Sequence, residues 1–125
     1  MKFVLSSLLI AASAALVSTA FAHSDAKARH GGIVQFASDL SFELVGQADG
    51  AILYVEDHGK PLATQGMTGK LTVLNGANKS EAELKPAGDN KLEAKGVQLG
   101  AGAKAVAVLT TASRKAVTVR FTVKK

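Results

Sequence analysis

From Ala116 to Val123 the chain alternates with a period of two: Val117, Val119, Phe121 and Val123 are apolar, and Thr118, Arg120 and Thr122 between them are polar. Successive side chains on a strand point to opposite faces, so this alternation predicts a β-strand with one face in a core and one in water. Similar segments run from Ile33 to Ala37, Leu40 to Val45, Ala51 to Glu56, Lys70 to Leu74, Glu81 to Lys85, Lys91 to Lys95 and Lys104 to Thr111. Turn-forming residues separate them at Gly46 to Gly50, Asp57-His58-Gly59-Lys60-Pro61, Asn75-Gly76, Pro86 to Asn90 and Gly100-Ala101-Gly102. About eight short strands punctuated in this way describe an all-β fold, a small antiparallel β-sandwich or Greek-key barrel. Ala51 to Val55 is apolar on both faces, which marks an inner strand. The Asn75-Gly76 pair takes positive φ readily, so the segments on either side of it are expected to be hairpin partners.

The first 22 residues follow a different pattern. Lys2 precedes an uncharged run from Phe3 to Val17, and the composition then turns small through Ser18-Thr19-Ala20-Phe21-Ala22. A charge, an apolar stretch and small residues in that order predict a helical signal peptide cleaved after Ala22, with the bond after Ala20 the weaker alternative. The apolar run is shorter than the ~20 residues that span a bilayer, so no transmembrane anchor is expected after cleavage. The expected organisation is a signal peptide over 1-22, a flexible arm over 23-31 and one β domain over 32-125, exported to the periplasm.

The chain has no cysteine, which rules out disulfides, thiolate metal sites and cysteine nucleophiles. Its net charge is +5, with 15 Lys and Arg against 10 Asp and Glu, and the basic residues look scattered along the sequence. Few aromatic residues interleave with them, so nucleic-acid binding is not expected. There is no Gly-x-Ser-x-Gly elbow and no phosphate-cradling glycine loop ahead of a helix, and the reading is non-enzymatic.

The candidate chemistry rests on the histidines at 23, 30 and 58, each in a polar or turn context. Histidine is the commonest metal ligand through a neutral ring nitrogen. Cleavage after Ala22 would give His23 a free amine beside its own imidazole, a bidentate pair suited to a borderline divalent ion such as Cu(II), Zn(II) or Ni(II). His30 is the nearest further imidazole, although Lys27 and Arg29 bring positive charge into the same loop. In the second cluster, Asp57 and His58 converge if the chain turns at Gly59; the alternative is a plain turn in which Asp57 bonds its own backbone. A simple meander would set His30 and His58 at opposite ends of a strand, roughly 20 Å apart, unless the arm or a Greek-key crossing rejoins them. The arm from His23, up to about 26 Å when extended, is long enough to bridge that span.

The run His30-Gly31-Gly32, Phe42-Glu43-Leu44-Val45, Leu53 to Pro61 and Gly69 to Leu74 resembles small periplasmic proteins that accompany heavy-metal efflux systems. It is also similar to an N-terminal domain of some efflux periplasmic adaptor subunits. The resemblance implies periplasmic metal handling, with His30, Asp57 and His58 at the matching positions. An efflux adaptor or another envelope protein is the implied partner. The leading His23 separately resembles periplasmic copper-resistance proteins whose mature chain starts with histidine. Ser24-Asp25 and the lack of a methionine-rich segment depart from that family. Two functions follow as expectations: a divalent-metal binding protein using His23, His30, Asp57 and His58, or a structural or adaptor module that binds an envelope protein.

Overall fold

The computed structural model describes residues 27–125; the expected signal peptide and His23 lie outside them. Nine antiparallel strands follow in chain order: β1 (Ile33–Ala37), β2 (Leu40–Gln47), β3 (Gly50–Asp57), β4 (Lys60–Pro61), β5 (Thr68–Asn75), β6 (Asn78–Pro86), β7 (Lys91–Lys95), β8 (Lys104–Thr110) and β9 (Ala116–Thr122). All eight expected strands are present, and the two-residue β4 is the addition. The all-β reading holds.

The strand order is β1-β2-β3-β7-β6-β5-β8-β9, with β4 beside β3. The two ends of that order, β1 and β9, lie alongside one another, so the sheet curls into a nearly closed barrel. Strand β6 joins its two halves: it pairs with β5 from Asn78 to Leu84 and with β7 at Lys85 and Pro86. Strand β3 lies between β2 and β7, the inner position that its two-sided apolar character predicts.

The core follows from the alternation. Phe42 and Leu44 on β2, Leu53 and Val55 on β3, and Leu92 on β7 point inward and are almost fully buried. Opposite them, β8 contributes Ala105 and Ala107, paired with Phe121 and Val119 on β9. A small residue on one strand faces a larger one on its neighbour, which is how the limited interior of a narrow barrel is filled.

Two-residue turns set the registers. Ser38 and Asp39 join β1 to β2 with φ of 51° and 65°, and His58 and Gly59 join β3 to β4 with φ of 53° and 81°. Positive φ at both central positions matches the right-handed twist of the flanking strands. Between β5 and β6, Asn75 pairs with Asn78 across Gly76-Ala77, the hairpin expected at Asn-Gly. The Asn75 side chain also donates to the Gln98 carbonyl and accepts from the Gly100 amide, tying that turn to the β7–β8 connection.

Candidate functional site

The first three strands form the meander considered from the sequence, with Ile33 opposite Leu44 and Leu44 opposite Leu53. That arrangement alone would leave His30 at the far end from His58. The chain instead reverses just before β1, where Gly31 has a φ of 74°, and folds back over the outer face of β2 and β3. What holds it there is Glu43, whose side chain points to that face between Phe42 and Leu44.

Glu43 is buried, yet fully partnered. Its Oε2 accepts from the amides of His30 and Gly32, each at 2.8 Å, and its Oε1 accepts from the Arg29 amide at 2.9 Å. His30 Nδ1 lies 3.1 Å from the same Oε1. Burial works to raise the Glu43 pKa, but the hydrogen bonds from Gly32, the His30 ring and the His30 and Arg29 amides outweigh it and hold the carboxyl below its ordinary value of 4.5. Three amides aimed at one carboxylate form an anion-binding nest whose anion belongs to the protein itself.

The His30 ring is fixed from a second side. It stacks on Tyr54 with centroids 3.6 Å apart and planes inclined by 1°. Tyr54 is the cross-strand neighbour of Glu43, so one pair on β2 and β3 supplies both the carboxylate and the aromatic platform. The preceding residue carries the chain further along β3: Arg29 Nε lies 2.7 Å from Glu56 Oε2, and its guanidinium donates to the Gly59 carbonyl at 3.4 Å. Arg29 and His30 of the expected arm, and Gly32 just after it, are therefore tied to the sheet.

At the β3–β4 turn, Asp57 Oδ1 lies 2.5 Å from His58 Nδ1. Of the two arrangements the turn allows, the structure has the convergent one, in which the carboxylate engages the imidazole rather than its own backbone. His58 is freely exposed and His30 is about two-fifths exposed.

His30 and His58 thus share one arrangement. Each has Nδ1 against a carboxylate, which favours the tautomer protonated at Nδ1 and leaves the Nε2 lone pair free. The fold-back also narrows the separation inferred from the meander. His30 stacks over Tyr54, which precedes Asp57 by three residues, about 10 Å of strand, and Arg29 bonds the residue after His58. Among the described residues no three His, Asp or Glu side chains converge as a ready-made metal site, and His23 lies outside those residues.

Glu43, Tyr54 and Glu56 were missed by sequence reasoning. The alternation assigned Glu43 to a wet face, and nothing in a period-two pattern reveals that a preceding loop covers that face. The signal available was the His30-Gly31-Gly32 run, whose glycines permit the reversal and a close backbone approach.

Comparison with known proteins gives no match to any family model, curated protein or solved structure. The fold and this paired-histidine geometry therefore define the class: a small all-β barrel with two carboxylate-oriented imidazoles on one sheet.

Proposed function

We propose that this is an exported, periplasmic, non-enzymatic protein that binds a divalent ion of the Cu(II), Zn(II) or Ni(II) class in metal resistance or efflux. The observation that carries the reading is the shared geometry of His30 and His58, each held at Nδ1 by a carboxylate with Nε2 open. Metal-ligating histidines are commonly oriented in this way, because the carboxylate fixes the ring and raises its basicity. In this reading His30 and His58 are ligands through Nε2, Asp57 orients His58 and Glu43 orients His30. His23 completes the set with its imidazole and, after cleavage behind Ala22, its free amine. The Glu56 ion pair with Arg29 offsets the charge that would otherwise repel a cation from this side of the sheet.

The test is calorimetric titration of the mature chain with each ion, beside a His23→Ala, His30→Ala, His58→Ala triple variant. Micromolar or tighter binding, lost in the variant, is the expected result. Binding no better than millimolar, or equal binding by the variant, refutes it. Mass spectrometry of the mature N-terminus checks the contribution of His23, since a chain starting at Phe21 or Ser24 lacks the amine-plus-imidazole pair.

A further inference from the structure

The charges are not scattered in space or, at the end of the chain, in sequence. All ten Asp and Glu residues lie at or before Glu93, whereas the last 32 residues hold seven of the fifteen Lys and Arg residues and no Asp or Glu. Those residues build β8 and β9. Lys95 pairs with Glu93, but Lys104, Arg114, Lys115, Arg120, Lys124 and Lys125 make no ion pair among the described residues.

The registers place this charge on one face. Thr72, Val106 and Arg120 lie side by side across β5, β8 and β9, as do Leu74, Lys104 and Thr122. All six point away from the core, and Val108, next along β8, is half exposed at 49%. Arg114 and Lys115 sit in the turn at one end of the β8–β9 hairpin, and Lys124 and Lys125 follow β9 at the other. The result is an open face about 20 Å long, with cations in the middle and at both ends and threonine and aliphatic side chains between them.

We propose that this face docks the protein on an anionic phospholipid surface, independently of the proposed metal site. A protein partner fits less well. Protein interfaces are depleted in Lys and anchored by aromatic residues in pockets, whereas this surface is mainly lysine and carries no aromatic side chain among its outward positions on β8 and β9. A lipid headgroup layer is broad, flat and negatively charged, so it engages dispersed cations without matched pockets, each adding to the attraction within a Debye length of the surface.

The test is co-sedimentation of the mature chain with vesicles of phosphatidylcholine alone or with 30% phosphatidylglycerol, at about 20 mM and 500 mM salt. Binding only to the anionic vesicles and only at low salt is expected, with partitioning falling about tenfold or more in the Lys104→Glu, Arg120→Glu double variant. A Lys60→Glu, Lys85→Glu variant, with the same net charge but altered elsewhere, should retain most of the binding. All four positions are exposed, and thermal melting verifies that each variant is folded. Equal binding to neutral vesicles, equal loss in both variants or no vesicle binding overturns the proposal. So does capture by soluble polyglutamate without vesicle binding, which would indicate an acidic protein partner.

Discussion

His30 Nδ1 and Glu43 Oε1 lie 3.1 Å apart, and the same carboxylate accepts the His30 backbone amide through Oε2. One side chain therefore fixes both the path of the chain and the orientation of the ring. The neutral imidazole should be protonated at Nδ1. Long-range nitrogen–proton NMR correlation at pH 8 should show the Nδ1–H tautomer for His30 in the wild type, and a shift toward the Nε2–H form in Glu43→Ala. A predominant Nε2–H form in the wild type would contradict the role given to Glu43.

The pH dependence of stability follows from the same group. The folded-state pKa of Glu43 lies below its ordinary 4.5, so its contribution is fully present above about that pH and is lost as pH falls through the lower, folded value. Glu43→Gln should be less stable than wild type by about 1–3 kcal/mol at pH 7, because a neutral amide replaces a charged acceptor facing three amides. The gap should close on acidification below pH ~4.5. Urea unfolding at pH 7, 5 and 3 measures it; a gap independent of pH would rule out the ionised clasp.

The adjacent glycines should respond differently to alanine. A Cβ at Gly32 would fall 2.3 Å from the Leu44 carbonyl oxygen, so Gly32→Ala must displace backbone at the start of β1. At Gly31 a Cβ meets nothing within 4 Å, and only the φ of 74° opposes it. Gly31→Ala should cost about 1 kcal/mol and Gly32→Ala more than 2 kcal/mol. Thermal melts of the two variants compare them directly, and equal losses would disprove the close approach.

Size matching across β8 and β9 gives a core prediction. Ala107 is fully buried opposite Val119, and enlarging it to leucine leaves no space without moving β9. Ala107→Leu should destabilise by about 1–3 kcal/mol. A neutral or stabilising result in denaturant melts would reveal spare volume in that half of the barrel.

Most of the fold was legible in the sequence because it depends on local periodicity. Val117 to Phe121, Asn75-Gly76 and the doubly apolar Ala51 to Val55 each state their structural role within a few residues. The turn at Asp57 and His58 was legible for the same reason, although it left open whether Asp57 meets the His58 ring or its own backbone. Glu43 was not. A carboxylate alternating with Phe42 and Leu44 reads as solvent-facing, and its partners at Arg29, His30 and Gly32 meet it only through a chain reversal that no period encodes. The charged face of β8 and β9 was hidden for a related reason: Lys104 and Arg120 are sixteen residues apart in sequence and become near neighbours only through hairpin register.

The strand order has a kinetic consequence. The β1–β2–β3 meander and the β5–β6, β6–β7 and β8–β9 hairpins can each close over short loops, but completing the two halves requires β3 to find β7 and β5 to find β8, with dozens of residues intervening. Such distant pairings slow folding to the millisecond-to-second range. The β6–β7 pairing closes over only five residues between Pro86 and Leu92, so we expect the β3–β7 and β5–β8 seams to be organised last, as the chain closes into one cooperative unit. Substitutions there should mainly accelerate unfolding, with little change in the folding arm of a chevron plot.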